Sequence, residues 1–280
     1  MTTDTLYLLV TCSMDETRRD LAYQVSENLM SQNLAHAFFD DLLVFDNSSK
    51  YRDHLKVFSP PVKVVRSDEN VGYWSAIYWV LLNYQKLFKR KYKYLYIIES
   101  DLEHWDMFKL DSCEKFLDDH LKIGGVRTQE FSVKFRMLYD KRYHWAPFVR
   151  RHSLVSQKNV VTNERVWFRK VGLDKNIWMT NFHTKLPALN RLDALTTVFK
   201  RLADREKIDE IYFMHLYYEL YSDMALLDGG IYRQISNSDS AHLSGSYSTT
   251  EQLKESGYHN TRTDYIRTQD FAVQEMSRVT

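Results

Sequence analysis

A short apolar run that ends in two acidic residues constrains this chain more than any other feature. The run Tyr94–Ile98 is too short for a typical helix, and Glu99, Ser100 and Asp101 follow it directly. Such a run predicts a buried β-strand, and side chains two residues apart on an extended backbone point to the same side. Glu99 and Asp101 are therefore predicted to hold one divalent cation. The alternative is a solvated turn followed by a helix cap.

The apolar pattern upstream predicts an alternating α/β fold. Strand-like runs occupy residues 6–10, 41–45 and 62–65. Helical spacing of apolar residues marks residues 17–33, and a second helix is predicted to follow the segment 70–76 and to end at Leu87. With the acidic strand, the order is strand, helix, strand, strand, helix, strand. This order is typical of nucleotide-binding sheets, whose loops gather at one edge.

Polar motifs follow these elements in a recognisable order. They are, along the chain, Thr11-Cys12-Ser13, Asp46-Asn47-Ser48, Asn70-Val71-Gly72 with Ala76 beyond it, and Glu99-Ser100-Asp101. In this succession and spacing they resemble the nucleotide-binding half of GT-A fold glycosyltransferases, especially the large family-2-like group. These motifs cover the first hundred or so positions of the chain.

The resemblance implies a fold and a division of the chain. The implied fold class is α/β of GT-A type, with a Rossmann-like, mostly parallel central sheet flanked by helices. Residues 1–108 would form the nucleotide-sugar-binding half. Residues 109–280 would form the acceptor-binding and catalytic half of the same continuous domain.

The resemblance also implies a donor substrate and a metal. The donor would be a nucleoside diphosphate sugar, with UDP the expected nucleotide, and its contacts would be Thr11, Ser13, Asp46, Asn47, Asn70, Gly72, Glu99 and Ser100. Asp101 would bind Mn²⁺ or Mg²⁺, which prefer carboxylate and phosphate oxygens. Glu99 replaces the usual Asp of this family, so it would reach the metal through water or contact the ribose.

Three further positions in the second half match the same family. The acidic pair Asp209-Glu210 opens a predicted helix, where inverting enzymes carry a general base, and Glu210 is the preferred base with Asp209 as the helix cap. His242 corresponds to a C-terminal metal ligand, and Arg233 could neutralise a donor phosphate. The alternatives are ordinary helix-start acids and a surface histidine.

Two other segments of the second half carry expectations. Gly124-Gly125 is interpreted as a turn that enters a strand. The stretch 178–189 is interpreted as an irregular polar loop before a helix at 190–203, with His183 and Lys185 as candidate donor or acceptor contacts.

The charge is unevenly distributed along the chain. The formal net charge is +1, yet residues 127–170 hold eleven Lys and Arg against three acidic residues, with aromatic residues interleaved. Basic groups bind phosphates and flat rings stack on bases, so this segment predicts nucleic-acid contact. The predicted contacts are Arg127, Lys134, Arg136, Lys141, Arg142, Arg150 and Arg151. The alternative is a solvated basic face over core aromatics.

These observations lead to one functional hypothesis with rivals. The chain is predicted to be a metal-dependent glycosyltransferase, inverting if Glu210 is the base, whose acceptor is a 5-hydroxymethylpyrimidine base in DNA. This acceptor assignment rests on a resemblance to the base J and viral DNA-modifying glycosyltransferases. The rivals are a glycosyltransferase for a surface polysaccharide or other glycan, a non-catalytic nucleic-acid-binding protein, and a nucleotidylyltransferase, whose Gly-rich activating loop is missing.

Composition adds an expectation about location. The apolar run near the N-terminus is far too short to span a bilayer, and no basic secretory start precedes it. Two cysteines are too few for a disulfide framework. We therefore expect a cytoplasmic protein, in the host cytoplasm if the source is viral, with no membrane association and no obligate protein partner.

Overall fold

A computed structural model describes residues 4–33, 38–130, 153–159, 161–170, 176–182, 188–205, 210–235, 266–267 and 271–276. The strands are β1 Thr5–Thr11, β2 Leu42–Asp46, β3 Lys63–Ser67, β4 Tyr94–Glu99, β5 Leu102–His104, β6 Ile123–Arg127, β7 Ser153–Lys158, β8 Arg165–Lys170, β9 Ile177–Thr180, β10 Ala188–Arg191, β11 Asp223–Leu227, β12 Tyr232–Gln234 and β13 Val273–Glu275. The α-helices are α1 Glu16–Asn33, α2 Tyr73–Phe88, α3 Lys109–Asp119, α4 Leu192–Ala203 and α5 Glu210–Leu220.

One large sheet organises the described part of the chain. It has 11 strands in the order β13-β3-β2-β1-β4-β10-β6-β11-β9-β8-β7, and β5 pairs with β12 in a separate ribbon. Strands β3, β2, β1 and β4 are parallel neighbours. β10 is antiparallel to both β4 and β6, so β6 runs in the same direction as β4. The predicted parallel half is confirmed, and the second half is mixed.

Each face of the sheet packs against its own hydrophobic core. Tyr94, Tyr96 and Ile98 of β4 pack on the face that α1 and α3 cover, whereas Leu95 and Ile97 pack on the face that α2, α4 and α5 cover. Strands buried on both faces are apolar along nearly their whole length. This burial explains why β1 and β4 were recognisable in the sequence as continuous apolar runs.

The strand directions bring one set of ends together. Strands β1, β2, β3, β4 and β6 all end on the same side of the sheet, which we call the carboxyl edge. Helix α5 runs towards the opposite side, because the Tyr217 hydroxyl in its last half donates to the Gly124 carbonyl at the start of β6, at 2.7 Å. The first residue of α5, Glu210, is therefore at the end of the helix directed towards the carboxyl edge.

Two local expectations for the second half were wrong. Gly124 and Gly125 lie inside β6 and form no turn. A Cβ on Gly124 would come within 2.6 Å of Cε1 of Tyr217, and one on Gly125 within 2.6 Å of the Leu189 carbonyl oxygen, so close packing explains both glycines. Part of the stretch interpreted as a polar loop is regular structure, because β9 and β10 occupy 177–180 and 188–191.

The helices within the described ranges lack the combination of length and apolar character needed to cross a membrane.

Candidate functional site

Two asparagines connect the loops after β2 and β3. Nδ2 of Asn47 donates to Oδ1 of Asn70 at 2.8 Å, and Oδ1 of Asn47 accepts from the Val71 backbone N–H at 2.8 Å. Oδ1 of Asn70 also accepts from the Gly72 N–H at 3.0 Å, and Gly72 has a φ of 82°. The two motifs predicted to bind the donor substrate therefore form one hydrogen-bonded unit immediately before α2.

Asp46 is committed to contacts within the protein. Its side chain is fully buried, and its carboxylate accepts from the Ser49 backbone N–H at 3.0 Å and from the Thr11 hydroxyl at 3.5 Å. The Arg66 guanidinium forms an ion pair with it. In this arrangement Asp46 and Thr11 hold the loop together, and a direct contact of either side chain with a ligand stays a prediction.

Ser13 also joins the first two loops. Its backbone N–H donates to Oγ of Ser49 at 2.8 Å, and its carbonyl accepts from the Tyr51 N–H at 3.0 Å. These bonds bring the loop after β1 against the loop after β2, as the motif order predicted.

The acidic turn lies at the carboxyl edge, between β4 and β5. Glu99 is the last residue of β4, and its Oε1 accepts from the Tyr73 hydroxyl at 2.9 Å. Asp101 is buried in the turn that follows, and its Oδ2 accepts from Nε2 of Gln234 at 3.2 Å. The Asp101 carbonyl also accepts from the Ile235 N–H at 2.9 Å. The structure thus fixes Asp101 through its backbone and its side chain.

The ribbon of β5 and β12 connects this turn to the second half of the chain. Tyr232 pairs with His104 across the ribbon, and the Tyr232 carbonyl accepts from the Glu130 N–H at 2.8 Å. Burial raises the pKa of Tyr232, and the nearby carboxylates of Glu99 and Asp101 raise it further. The Tyr232 ring therefore lies in the electrostatic field of both acids.

A buried histidine of the ribbon, His104 of β5, connects the ribbon to β4. Nε2 of His104 lies 3.0 Å from the Tyr96 hydroxyl, which is also 3.2 Å from Oγ1 of Thr128. Burial lowers the pKa of His104 to about 3. The imidazole is consequently uncharged near neutral pH and serves as a packing and hydrogen-bonding group.

Two arginines of the predicted set are described, and they differ in position. Arg127 ends β6 at the carboxyl edge, where its Nη2 donates to Oε1 of Gln129 at 2.6 Å and its Cζ lies 4.5 Å from the centre of the Phe182 ring. Its charge lowers the pKa of Tyr232. Arg233 lies on the exposed side of the ribbon and pairs with Glu103, at 2.7 Å from Nη2.

The remaining predicted residues are only partly covered. The backbone of Glu210 begins α5, and one turn later Phe213 packs against Trp74, with ring centres 5.4 Å apart. The start of α5 therefore lies close to the start of α2, where Trp74 follows Tyr73, the residue whose hydroxyl bonds Glu99. The other predicted residues lie outside the described residues: Lys134, Arg136, Lys141, Arg142, Arg150, Arg151, His183, Lys185, Asp209 and His242.

The acidic turn fits a divalent cation whose coordination is completed by phosphate oxygens of the substrate. Among the described residues there is no group of three or more His, Cys, Asp or Glu side chains that could hold a metal alone. Mg²⁺ and Mn²⁺ sites on nucleotides commonly use one or two carboxylates together with phosphate oxygens and water. Glu99 and Asp101, two residues apart in one turn, meet that requirement.

Three residues of the site were not predicted from the sequence: Tyr73, Gln234 and Tyr232. Tyr73 directly follows the Asn70–Gly72 motif, so its position beside the nucleotide loop was available as a signal. Gln234 and Tyr232 lie on a three-residue strand, and nothing in their local sequence indicates that this strand crosses to the acidic turn.

Comparison with known proteins supports the fold. No protein-family model and no curated protein sequence matches the chain. The structure resembles that of S. aureus TarS 1–349 in complex with UDP-GlcNAc, with a TM-score of 0.50, 14% sequence identity, and coverage of 90% of this chain and 64% of that chain. At this identity the likeness concerns the fold alone, and it confirms the predicted GT-A-type architecture.

Two further solved structures are more distant. S. aureus TarS gives a TM-score of 0.48 at 11% identity, with coverage of 84% of this chain and 37% of that chain. Mannose-1-phosphate geranyltransferase from Thermus thermophilus gives 0.41 at 9% identity, with coverage of 82% and 75%. This chain therefore spans less than two thirds of the length of either TarS structure.

Proposed function

We propose that this protein is a metal-dependent glycosyltransferase that transfers a sugar from a nucleoside diphosphate sugar to an acceptor hydroxyl. The observation that carries the proposal is the acidic turn, Glu99 to Asp101, at the same sheet edge as the bonded Asn47–Asn70 unit. Ligands of open α/β sheets bind at this edge. A fold shared with a protein solved in complex with UDP-GlcNAc supports a nucleotide-sugar donor, with UDP as the nucleotide.

The metal and the donor divide the site between them. Asp101, with Glu99 beside it, would hold Mn²⁺ or Mg²⁺, which when bound would neutralise charge on the departing nucleoside diphosphate. The Asn47–Asn70 unit and Gly72 fix the loop next to the start of α2, where the nucleoside would bind. Ser100 lies in the turn between the two acids, within the same region.

Glu210 is the proposed general base. It begins α5 at the end directed towards the carboxyl edge, and the helix is anchored near Glu99 through the contact of Phe213 with Trp74. A base there would remove the proton from the acceptor hydroxyl as that oxygen attacks the anomeric carbon, which inverts the configuration.

The proposed acceptor is a 5-hydroxymethylpyrimidine base in DNA. The support is the charge of residues 127–170 and its interleaved aromatics, because phosphate contacts supply most of the salt-dependent affinity for DNA. Reaching such a base in a duplex requires extrusion from the stack. The rival acceptor is a glycan, which would need no cluster of positive charge, and a non-catalytic nucleic-acid-binding protein is the rival from another class.

Asp101→Asn tests the metal and donor site. An amide is a poorer ligand for a hard cation than a carboxylate, so we expect transfer to fall by about a hundredfold or more in saturating donor. Transfer would be measured with Mn²⁺, a panel of radiolabelled nucleotide sugars, and DNA that contains hydroxymethylcytosine or hydroxymethyluracil.

The matched control is Asp119→Asn, at the exposed end of α3, which removes the same charge at a distance from the acidic turn. Its activity should equal that of the parent. Near-parental turnover by a folded Asp101→Asn protein would exclude the acidic turn as the metal site.

A further inference from the structure

Tyr73 is attached to Glu99 of the acidic turn by a direct side-chain hydrogen bond. The Tyr73 hydroxyl donates to Oε1 of Glu99 at 2.9 Å, across 26 residues of sequence and between two different elements, α2 and β4. Both residues are half-buried. A hydrogen bond from a neutral donor to a carboxylate is stronger than one between two neutral groups.

The element that carries Tyr73 is fixed on its N-terminal side. Tyr73 is the first residue of α2, directly after Gly72, whose N–H donates to Oδ1 of Asn70. The Ala76 N–H donates to the Gly72 carbonyl at 3.1 Å and closes the first helical turn. The backbone of Tyr73 is therefore held by the same hydrogen bonds that join the loops after β2 and β3.

The next residue anchors the helix start from the core. Trp74 is buried, and its ring packs against Phe199 at 5.6 Å and Phe213 at 5.4 Å. The start of α2 is thus held by hydrogen bonds on one side and by aromatic packing on the other. The Tyr73 hydroxyl therefore reaches Glu99 from a rigid part of the fold.

A glutamate at this position needs such support more than an aspartate would. Glu has one more side-chain torsion than Asp, so its carboxylate samples more directions and loses more entropy when it is fixed. A directed hydroxyl reduces that cost before the ligand arrives, which is the general way in which preorganisation increases affinity.

We propose that Tyr73 is a positioning residue that directs the Glu99 carboxylate towards the metal ion that would bind the diphosphate of the donor. This inference rests on the proposed function, because the ligand it names is the donor of that reaction. It assigns Tyr73 no contact with the reacting atoms. Its effect passes through Glu99 alone, and this makes it testable by a double-mutant cycle.

The experiment compares the parent with Tyr73→Phe, Glu99→Asp and the double variant. Binding of UDP in saturating Mn²⁺, and of Mn²⁺ in saturating UDP, would be measured by titration calorimetry, and kcat and KM for the donor by transfer. We expect Tyr73→Phe to weaken Mn²⁺ binding about tenfold, as loss of an outer-shell partner typically does. In the Glu99→Asp background the same change should have no further effect, because the shorter carboxylate does not reach the hydroxyl.

The control is Tyr23→Phe. Tyr23 lies exposed on α1 and its hydroxyl also bonds a glutamate, Glu27, so the variant removes the same kind of contact away from the site. It should leave UDP and Mn²⁺ binding unchanged. The Tm of all variants would be recorded, and Tyr73→Phe should keep the parental value within a few degrees.

Three outcomes would overturn the inference. Parental Mn²⁺ affinity in Tyr73→Phe would exclude a positioning role. An equal tenfold loss in the Glu99→Asp background would show that Tyr73 acts without Glu99. A parent protein that binds UDP neither with nor without Mn²⁺ would refute the proposed function first, and the positioning role with it.

Discussion

Individual acidic residues in this structure have two distinct kinds of partner. Asp46 pairs with Arg66, and Asp41 accepts from Arg90 at 2.8 Å and from the Tyr92 hydroxyl at 2.7 Å, so both buried charges are balanced inside the protein. Asp101 is also buried, yet within the described ranges its side chain accepts from the neutral amide of Gln234. Asp46 is already paired with the Arg66 guanidinium, and this favours Asp101 over Asp46 as the metal-binding residue.

The turn before β12 provides a test of how the ribbon is held. Gly229 and Gly230 have φ values of 84° and 62°. A Cβ on Gly230 would clash with the Gln129 carbonyl oxygen, whereas one on Gly229 would meet nothing within 4 Å. We expect Gly229→Ala to cost about 1–2 kcal/mol of unfolding free energy from backbone strain alone.

Gly230→Ala should lower the free energy of unfolding clearly more than Gly229→Ala does. The Cβ of the new alanine meets backbone atoms that cannot move aside without separating residues 128–130 from residues 231–232. Urea unfolding of both variants would measure the difference. Equal losses would mean that the close contact between the two segments is not maintained in solution.

At the scale of elements, the sequence predicted the first half of the chain better than the second. The predicted helix 17–33 and the observed α1, Glu16–Asn33, agree to within one residue, and the predicted last residue of the second helix, Leu87, is one residue before the observed end of α2. Parallel strands buried on both faces are apolar throughout, so their sequences indicate strand without ambiguity.

The elements that were missed have weak local signals for physical reasons. β9 is four residues long, and Ile177 and Trp178 are buried in a strand that pairs antiparallel with both β11 and β8. Gly124 looked like a turn residue, although its lack of a side chain serves the close approach of Tyr217. In both cases the local structure depends on contacts between segments that are distant in the sequence. The local sequence pattern does not reveal these contacts. The link from Gln234 to Asp101 spans 133 residues and was unpredictable in the same way.

Helix α5 carries the prediction that tests catalysis. Glu210→Gln keeps the size and the helix-start geometry but removes the basic carboxylate. We expect turnover to fall by about a hundredfold or more with little change in KM for the donor, which is the usual result of losing a general base. Glu219→Gln, at the far end of the same helix, is the control and should behave as the parent. An unchanged rate would assign the base to another residue or indicate a retaining mechanism.

The whole molecule combines two differently charged parts. Residues 127–170 carry a net charge of +8, so the rest of the chain carries −7 to give the total of +1. A polyanion such as DNA would therefore be attracted to one segment and repelled by the remainder. Arg127, the first residue of that segment, ends β6 at the carboxyl edge, where the acidic turn also lies.

The final prediction concerns this attraction. Arg150 and Arg151 lie outside the described residues, and both are predicted to contact the phosphate backbone. Replacing both with Ala should weaken DNA binding to a similar extent for every sequence, because phosphate contacts do not read bases. The slope of log K against log salt should decrease by roughly one unit for each lost contact. Fluorescence anisotropy over a range of NaCl concentrations, with duplexes of several sequences, would measure both quantities.

The control removes the same charge from an exposed part of the described chain, through Lys86→Ala and Lys91→Ala near the C-terminal end of α2. It should leave the salt slope unchanged, because this part is far from the carboxyl edge. Donor hydrolysis without acceptor should survive in both double variants, since the proposed nucleotide site lies in the first half of the chain. Equal slopes for the arginine variant and the parent would exclude these two residues from phosphate contact. A parent that binds no DNA at low salt would refute the DNA acceptor and leave a glycan as the acceptor to test.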